Sequence, residues 1–307
     1  MKSNVILPAA LLATAATAAT LRRDVSNGAS ANLGIGTTCK STNLVCVGWL
    51  PDDDDNVPIS TINSILGKPN ACFQGHFSHI TSSTSYDGSD LTSKMADIVS
   101  SGAVLQAAIQ PTGVTFAQVD ANLAAQIAAV LQKFTDQGVQ VWLRFAHEAN
   151  WYVDNPVGAP LYPGGSTADF VQAWQRVADA VKGNSKVKMF WTMNDVGDVA
   201  SALEPWWPGQ DYVDVVGIDV YPTANVTFAQ TYGNVYATYA QAYGKPFYIG
   251  ETAAYDDMKK PWLQQLVDAG QDFPLYGGFS WFEYNKEHDY RIVTGASDEI
   301  AVQVLGY

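Results

Sequence analysis

Glu148 and Glu251 each close an apolar, strand-like run: Val139 to His147 leads to the first, and Lys245 to Gly250 leads to the second. Two carboxylates brought to one place suit cleavage of a glycosidic bond. One must be protonated and pass its proton to the departing oxygen; the other must be ionised and attack the anomeric carbon. A gap of about 5 Å between them gives retention of configuration, and a wider gap gives inversion. The ionised partner itself raises the pKa of the acid, because two nearby negative charges repel. The requirement is spatial. Positions 148 and 251 must face each other in one solvent-reachable pocket, with neither locked away beneath an immovable salt link.

The elements that would position them form a regular series. Apolar runs at Leu44–Leu50, Phe77–Ser82, Ala103–Gln110, Val139–His147, Val187–Asn194, Val213–Tyr221, Pro246–Glu251 and Gly277–Tyr284 read as strands. Helical patterns fall between them. Thr115 to Gln137 begins with a Thr115/Gln118 capping box, keeps Phe116, Val119, Leu123, Ile127, Val130, Leu131 and Phe134 on one face, and stops at Gly138. Phe170 to Val181 repeats the pattern; further helices are expected over Thr227 to about Ala242 and Asp257 to Ala269. Strands alternating with helices imply parallel strands joined by crossovers, and near-continuous apolar strands imply burial on both faces. The fold class is therefore α/β, a single-domain (β/α)8 TIM barrel over residues 44–307. The rival, an open doubly wound sheet, wants a Gly-rich turn after the first strand. Here that turn reads Trp49-Leu50-Pro51-Asp52-Asp53-Asp54-Asp55, which would repel phosphate, and Gly34-Ile35-Gly36 precedes the strand.

In such a barrel the site lies at the C-terminal strand ends. Trp49, His147 with Glu148, Asn194, Asp219 to Tyr221, Glu251, and Trp281 with Glu283 all fall there. Alternation places Arg144, Ala146 and Glu148 on one strand face, and Phe247, Ile249 and Glu251 on another. Aromatic rings suit the apolar face of a pyranose, so Trp49, Trp151, Tyr152, Trp206, Trp207, Tyr221 and Trp281 are candidate sugar contacts. Trp206-Trp207 equally suits a plug that holds a loop on the barrel, and Trp174 reads as core. His147-Glu148 is no zinc motif, because Trp151 stands where the second histidine belongs. Asp52–Asp55 reads as a solvated loop. No metal and no cofactor is implied.

Composition narrows the partners. The 307-residue chain is 47% hydrophobic and 15% charged, with net charge −13. Nucleic-acid binding needs a basic footprint, which is missing. The charge would repel an acidic polysaccharide, so a neutral polysaccharide or oligosaccharide is expected as the substrate, and the protein is expected to be a monomer with no membrane partner. Residues 1–20 read as a secretory signal: Lys2 precedes an alanine-rich apolar run with small residues for cleavage. Residues 21–43 read as a propeptide or N-terminal arm with a dibasic Arg22-Arg23 processing site, so the protein is expected outside the cell. Of the three cysteines, Cys46 lies in an apolar strand and is expected to be a buried thiol, leaving Cys39 and Cys72 for a bridge. Asn225-Val226-Thr227 is a glycosylation sequon that would have to be exposed.

Taken together, several segments resemble glycoside hydrolase family 26. Arg144-Phe145-Ala146-His147-Glu148-Ala149-Asn150-Trp151-Tyr152 is similar to its strand-four motif Arg-Pro-Phe-His-Glu-Met-Asn-Gly. Trp191 to Asn194 resembles Trp-Ser-Pro-Asn, and Trp207 to Asp214 resembles Tyr-Pro-Gly-Asp-x-Tyr-Val-Asp. Ile249 to Thr252 and Trp281 to Glu287 resemble its last two strands. The resemblance implies a retaining hydrolase of clan A with Glu148 as acid/base and Glu251 as nucleophile. It also implies that Tyr221 hydrogen-bonds the nucleophile, that His147 contacts sugar, and that Trp281 floors the cleaved subsite; Trp49, Trp151, Tyr152 and Asn194 would line the cleft, with Arg144 and Asp219 in support. Many members cut β-1,4-mannan, others mixed-linkage β-glucan or β-1,3-xylan. The differences, Phe145-Ala146 for Pro-Phe, Ala149 for Met and Thr192-Met193 for Ser-Pro, sit in the loops after strands four and five and leave that choice open. A non-catalytic sugar-binding barrel is the reading from another class.

Overall fold

A computed structural model of the chain describes residues 33–35, 45–55, 57–67, 71–153, 161–197, 199–295 and 299–306. The eight strands are β1 Cys46–Pro51, β2 Phe73–His79, β3 Val104–Gln110, β4 Val141–Phe145, β5 Val187–Asn194, β6 Val215–Asp219, β7 Phe247–Thr252 and β8 Tyr276–Glu283. They close in sequence order into a barrel whose neighbours are all parallel. Among the described residues, α-helices longer than one turn follow seven of them: α1 Ile59–Leu66, α2 Met95–Ser101, α3 Ala121–Asp136, α4 Thr167–Val181, α5 Phe228–Val235, α6 Lys259–Asp268 and α7 Glu299–Leu305. After β5 a 3-10 helix, Ala200–Trp206, takes the helix position, with Pro205 inside it. Proline removes an amide donor and prevents a longer α-helix there.

The helical expectations are met with local changes. The Thr115/Gln118 capping box is present, yet it starts a short 3-10 turn, Phe116–Gln118. The chain then resets, and Asp120 caps α3 by accepting from Leu123 N. A capping box at Ser166/Asp169 starts α4, and one at Thr227/Gln230 starts α5. The helix α5 runs on as a π-helical segment, Tyr236–Gln241.

The core has two layers. Inside the barrel one cluster takes Cys46, Phe73, Val104, Trp142, Phe190, Val215 and Tyr248 from β1 through β7, and Leu33 and Ile35 join it. The indole of Trp142 donates to the Leu33 carbonyl at 3.0 Å, so this short piece of the N-terminal arm stops the barrel floor. The second layer lies between strands and helices. Trp174 is fully buried there, as expected, and donates to the Tyr212 carbonyl. Trp206 and Trp207 also pack here, against Phe170 and against Trp191 and Tyr239 respectively, which settles them as a loop plug.

Register identifies which residues face out. Thr252 of β7 pairs with Trp281 of β8, Trp281 with Trp49 of β1, and Trp49 with Gln74 of β2. Thr252 bonds Trp262 of α6, and Gln74 bonds the Ile98 carbonyl of α2, so the whole row points at the helices. Trp49 and Trp281 are fully buried in that layer, and the Trp281 indole donates to the Tyr290 carbonyl. The expectation that they line a sugar cleft is therefore corrected: strand alternation turns both away from the mouth. Their inward neighbours Leu50 and Phe282 pair with each other.

Among the described residues no helix is long and apolar enough to cross a membrane. Cys46 is a buried thiol. Cys39, residues 1–20 and the Arg22-Arg23 pair lie outside the described residues, and Asn225 is exposed.

Candidate active site

Two left-handed residues carry Glu148 into the mouth. β4 ends at Phe145; Ala146 and Glu148 then take φ values of +46° and +52°. This region is disfavoured for side chains with a Cβ, and such residues concentrate at functional sites. The turn is held from both neighbouring strands: Ala146 N donates to the Ile109 carbonyl of β3, and Glu148 N to the Thr192 carbonyl of β5. Asn150 adds a reciprocal clamp on β5, its amide donating to the Asn194 carbonyl at 3.0 Å and its oxygen accepting from Asn194 N at 2.9 Å. Thus Arg144, Ala146 and Glu148 do not share one strand face, because the strand has ended before Ala146.

Glu251 arrives by a different irregularity. Phe247 and Ile249 pack in the outer layer, against α5 and its continuation in the case of Phe247. Ile249 pairs with Phe279 and Thr252 with Trp281, so β7 carries one more residue than β8 across this step. That bulge breaks the alternation and lets both Gly250 and Glu251 turn inward. The expected face of Phe247, Ile249 and Glu251 is corrected accordingly. Gly250 is required by close approach: a Cβ there would lie 2.6 Å from Asp219 Oδ1 and 2.8 Å from Arg144 Nη2.

Arg144 is the hub beneath the mouth. Fully buried, it donates Nη1 to Glu251 Oε1 at 2.7 Å, Nη2 to Asp219 Oδ2, and Nε to Thr192 Oγ1 at 3.0 Å. Asp219 also accepts from Glu251 N at 2.8 Å, fixing the β7 backbone. Tyr221 donates its phenol to Glu251 Oε2 at 2.8 Å. Glu251 is thus gripped on both oxygens, with its charge neutralised only in part because Arg144 is shared with Asp219. The bonds from Arg144 and Tyr221 orient the carboxylate, and both Glu148 and Glu251 are buried, each with 4% of its surface exposed.

The two carboxylates and His147 form one group. Oxygens of Glu148 and Glu251 and a ring nitrogen of His147 lie within 4.8 Å of one another. The same three residue types could ligate a cation. Arg144, however, already places its fixed positive charge on the Glu251 oxygen, and His147 has little room to reorient between Phe77 and Tyr152.

Environment drives the two carboxyls apart. Burial, and then the charges of Glu251 and Asp219, push the Glu148 pKa well above its ordinary value of 4.5, against one hydrogen bond from the Asn194 side chain. Burial acts on Glu251 in the same sense, but Arg144 and the Tyr221 hydrogen bond outweigh it and hold its carboxyl below the usual value. Burial pushes the Asp219 pKa up, opposed by the Arg144 charge and by the bonds from Arg144 and the Glu251 amide to its two oxygens. For His147, burial and the neighbouring Arg144 push the pKa down to about 3, so the ring is neutral. Its Nε2 stands 3.4 Å from Glu251 Oε1 without hydrogen-bond alignment, and neither ring nitrogen has a partner among the described residues.

Other expected residues sort as follows. Asn194 is half-buried beside Glu148, Tyr221 beside Glu251 and Tyr152 beside His147; Trp151 is half-buried on the same single turn as Tyr152, Ala149–Tyr152. Glu283 leaves the site: it is buried under the β8 loop, where it accepts from the amides of Ile292, Val293 and Thr294. The Asp52–Asp55 loop is not simply solvated, because Asp52 is buried and accepts from Asp54 N, Asp55 N and Asn285 N. Sequence reasoning passed over Phe282, which points inward on β8 and meets the Tyr221 ring edge-on at 5.5 Å. It also passed over Tyr162, which donates to the His147 carbonyl at 2.8 Å, and Asn150. Counting from Gln106, whose side chain meets Ser280 across the barrel, would have put Phe282 inside, but that pairing needs the register.

Comparison with known proteins agrees. Endoglucanase H of Acetivibrio thermocellus is 27% identical over 186 residues, covering 55% of this chain and 20% of that protein. A beta-1,3-xylanase of Alcaligenes sp. is 27% identical over 148 residues, covering 47% of this chain and 28% of its own length. The chain thus spans well under a third of the length of these curated relatives. Among solved structures, a GH26 beta-mannanase of Bacteroides ovatus superposes with a TM-score of 0.61 at 16% identity, covering 94% of this chain and 92% of that one. A Podospora anserina beta-(1,4)-mannanase gives 0.57 at 16% identity, covering 95% and 64%. The model of Glycosyl hydrolase family 26 matches residues 81–297, a stretch that holds both carboxylates and the Arg144 hub. By that match, over well more than half its length, the chain belongs to glycosyl hydrolase family 26.

Proposed function

We propose that the protein is a secreted, retaining endo-β-glycanase that cleaves a neutral β-linked polysaccharide by double displacement. The observation that carries this reading is the approach of the Glu148 and Glu251 oxygens within 4.8 Å, with protonation tendencies pushed in opposite directions. Glu251, ionised and aimed by Arg144 and Tyr221, attacks the anomeric carbon. Glu148, protonated, passes its proton to the glycosidic oxygen as that bond breaks. The leaving chain departs and a glycosyl ester on Glu251 remains. Glu148, now ionised, takes a proton from water, and that water releases the sugar with its original configuration. Neutral His147 offers a nitrogen to a sugar hydroxyl. A gap this short matches the roughly 5 Å separation of retaining enzymes and falls short of the roughly 6.5–9.5 Å that an inverting enzyme keeps so that a water can attack the far face of the sugar.

β-1,4-Mannan is the favoured substrate, since the solved neighbours named as mannanases share the whole barrel. A second reading, a β-glucan or β-1,3-xylan, is favoured by the names of the two curated relatives. Assay of the purified protein on mannan, mixed-linkage glucan, β-1,3-glucan and β-1,3-xylan separates them. Release of reducing ends from mannan alone supports the first reading, and release from another polymer alone replaces it. If no polymer is cut while oligosaccharides bind, the protein is a sugar-binding barrel. The alanine-rich leader supports export; recovery of chain lacking residues 1–20 from culture medium tests it.

A further inference from the structure

A row of aromatic rings leads away from Glu251 along the β7 and β8 loops, and nothing in the reaction described above uses its outer end. Tyr221 touches Glu251 through its hydroxyl; its ring lies 5.9 Å from that of Tyr290. Tyr290 lies 6.1 Å from Tyr255. Tyr255 stacks on His288 at 3.7 Å and 7° between planes. Tyr221, Tyr290 and Tyr255 are each half-buried, and His288 is exposed.

This pair contributes little to the core, yet both loops are built to hold it. Asp256, next to Tyr255, takes a left-handed φ of +50°, a conformation that disfavours residues other than glycine. His288 sits in a tight hairpin where Asn285 bridges Asp289 and Lys286 N donates to the His288 carbonyl at 3.0 Å. The hairpin is tied to the β1 loop by Asn285 N on Asp52 Oδ2. On its far side the Trp281 indole holds the Tyr290 carbonyl, and Lys259 Nζ holds the Arg291 carbonyl. An exposed His288 ring, stacked on Tyr255 and held by these bonds, is a low-entropy platform for the apolar face of a sugar.

We propose that Tyr255 and His288 form a distal subsite that binds a neutral β-linked hexopyranose by its apolar face. In this proposal it lies on the side of the chain that stays on Glu251, because the row starts at Tyr221, whose hydroxyl holds the nucleophile. The two ring-to-ring steps from Tyr221 place it at about the third sugar from the cleaved bond. The inference rests on the proposed hydrolase reading and adds a chain-length preference to it.

The test is kinetics and binding on a ladder of β-linked oligosaccharides carrying one to four sugars on the retained side. His288→Ala and Tyr255→Ala should lower kcat/KM about tenfold on the longer members, through KM, with a loss that shrinks as the retained side shortens. Exposed Lys260, on α6, provides a control substitution to alanine. A loss equal at every length, or none at any length, overturns the subsite while leaving hydrolysis intact. If the wild-type protein cuts nothing, calorimetry on the same ladder still decides: affinity that fails to rise at the third sugar, or that rises equally in His288→Ala, overturns it.

Discussion

The ends of β4 and β7 solve one problem in two ways. Each must deliver a glutamate from a strand face into a shared mouth. β4 does so by stopping at Phe145 and spending two left-handed residues, so Glu148 rides on a turn clamped by β3, β5 and Asn150. β7 does so inside the strand, with a bulge that needs Gly250 against Arg144 and Asp219. The electrostatic outcomes differ as well. Glu148 meets burial, two negative neighbours and one amide, so it favours the proton; Glu251 meets a guanidinium and a phenol, so it favours the charge. Two identical side chains thus acquire opposite roles from their surroundings alone.

The largest effects should come from removing each carboxylate. Glu251→Ala should lose at least about 10^4-fold in kcat/KM on every substrate, since no covalent intermediate can form. Glu148→Ala should lose about 10^2- to 10^4-fold on unactivated glycans, and much less on an aryl glycoside whose leaving group needs no proton. Equal losses on both substrate types would erase the contrast between the two strand ends. Arg144→Met removes the cation that separates them. The acid limb of the pH–rate profile, set by Glu251, should then move to higher pH, and stability should drop by about 3–5 kcal/mol because Asp219 loses its partner. An unmoved acid limb would mean that Arg144 does not set the charge of Glu251.

Gly250→Ala attacks the β7 device. The added methyl would push into the Arg144–Asp219 contact, and a displacement of about 1 Å at the nucleophile should cost about 10^2-fold in kcat. Glu148 also makes a thermodynamic prediction. Its folded pKa is raised, so the folded chain holds a proton that the unfolded chain releases above about pH 4.5. Wild-type stability should therefore fall with pH from there up to the folded pKa, by about 1.4 kcal/mol per pH unit from this group. Glu148→Gln should remove that slope, so thermal melts of the two proteins should diverge with increasing pH. Parallel melts would contradict a raised pKa. The smallest effect is on the β4 turn, where Ala146→Gly should relieve positive-φ strain and stabilise by up to about 1 kcal/mol.

Much of this was legible in the sequence, and most of the failures concern which way a side chain faces. The eight strands, the parallel barrel and the pairing of Glu148 with Glu251 follow from hydrophobic runs and their spacing. Orientation follows from register: period-2 counting loses it where β4 ends early and β7 bulges, and in the unbroken β1–β8 pairing the face that points inward is fixed only by the neighbouring strands. Hence Glu148 and Glu251 reach the mouth although alternation around each was misassigned, while Trp49 and Trp281 face the helices and Phe282 takes the inward place. Arg144 was legible as a buried charge on an apolar strand, but its bond to Asp219 joins residues 75 positions apart. Leu33 and Ile35 were read with the arm because their short apolar signal is surrounded by Gly, Ser and Thr; their partner, Trp142, lies across the barrel floor.

The stereochemistry of cleavage tests the central claim most directly. Proton NMR of a β-glycan oligosaccharide during the first minutes of hydrolysis reports the anomer released before mutarotation. Carboxylates this close predict that the new reducing end appears first as the β-anomer. Initial release of the α-anomer would place a water between Glu148 and Glu251 and contradict the account.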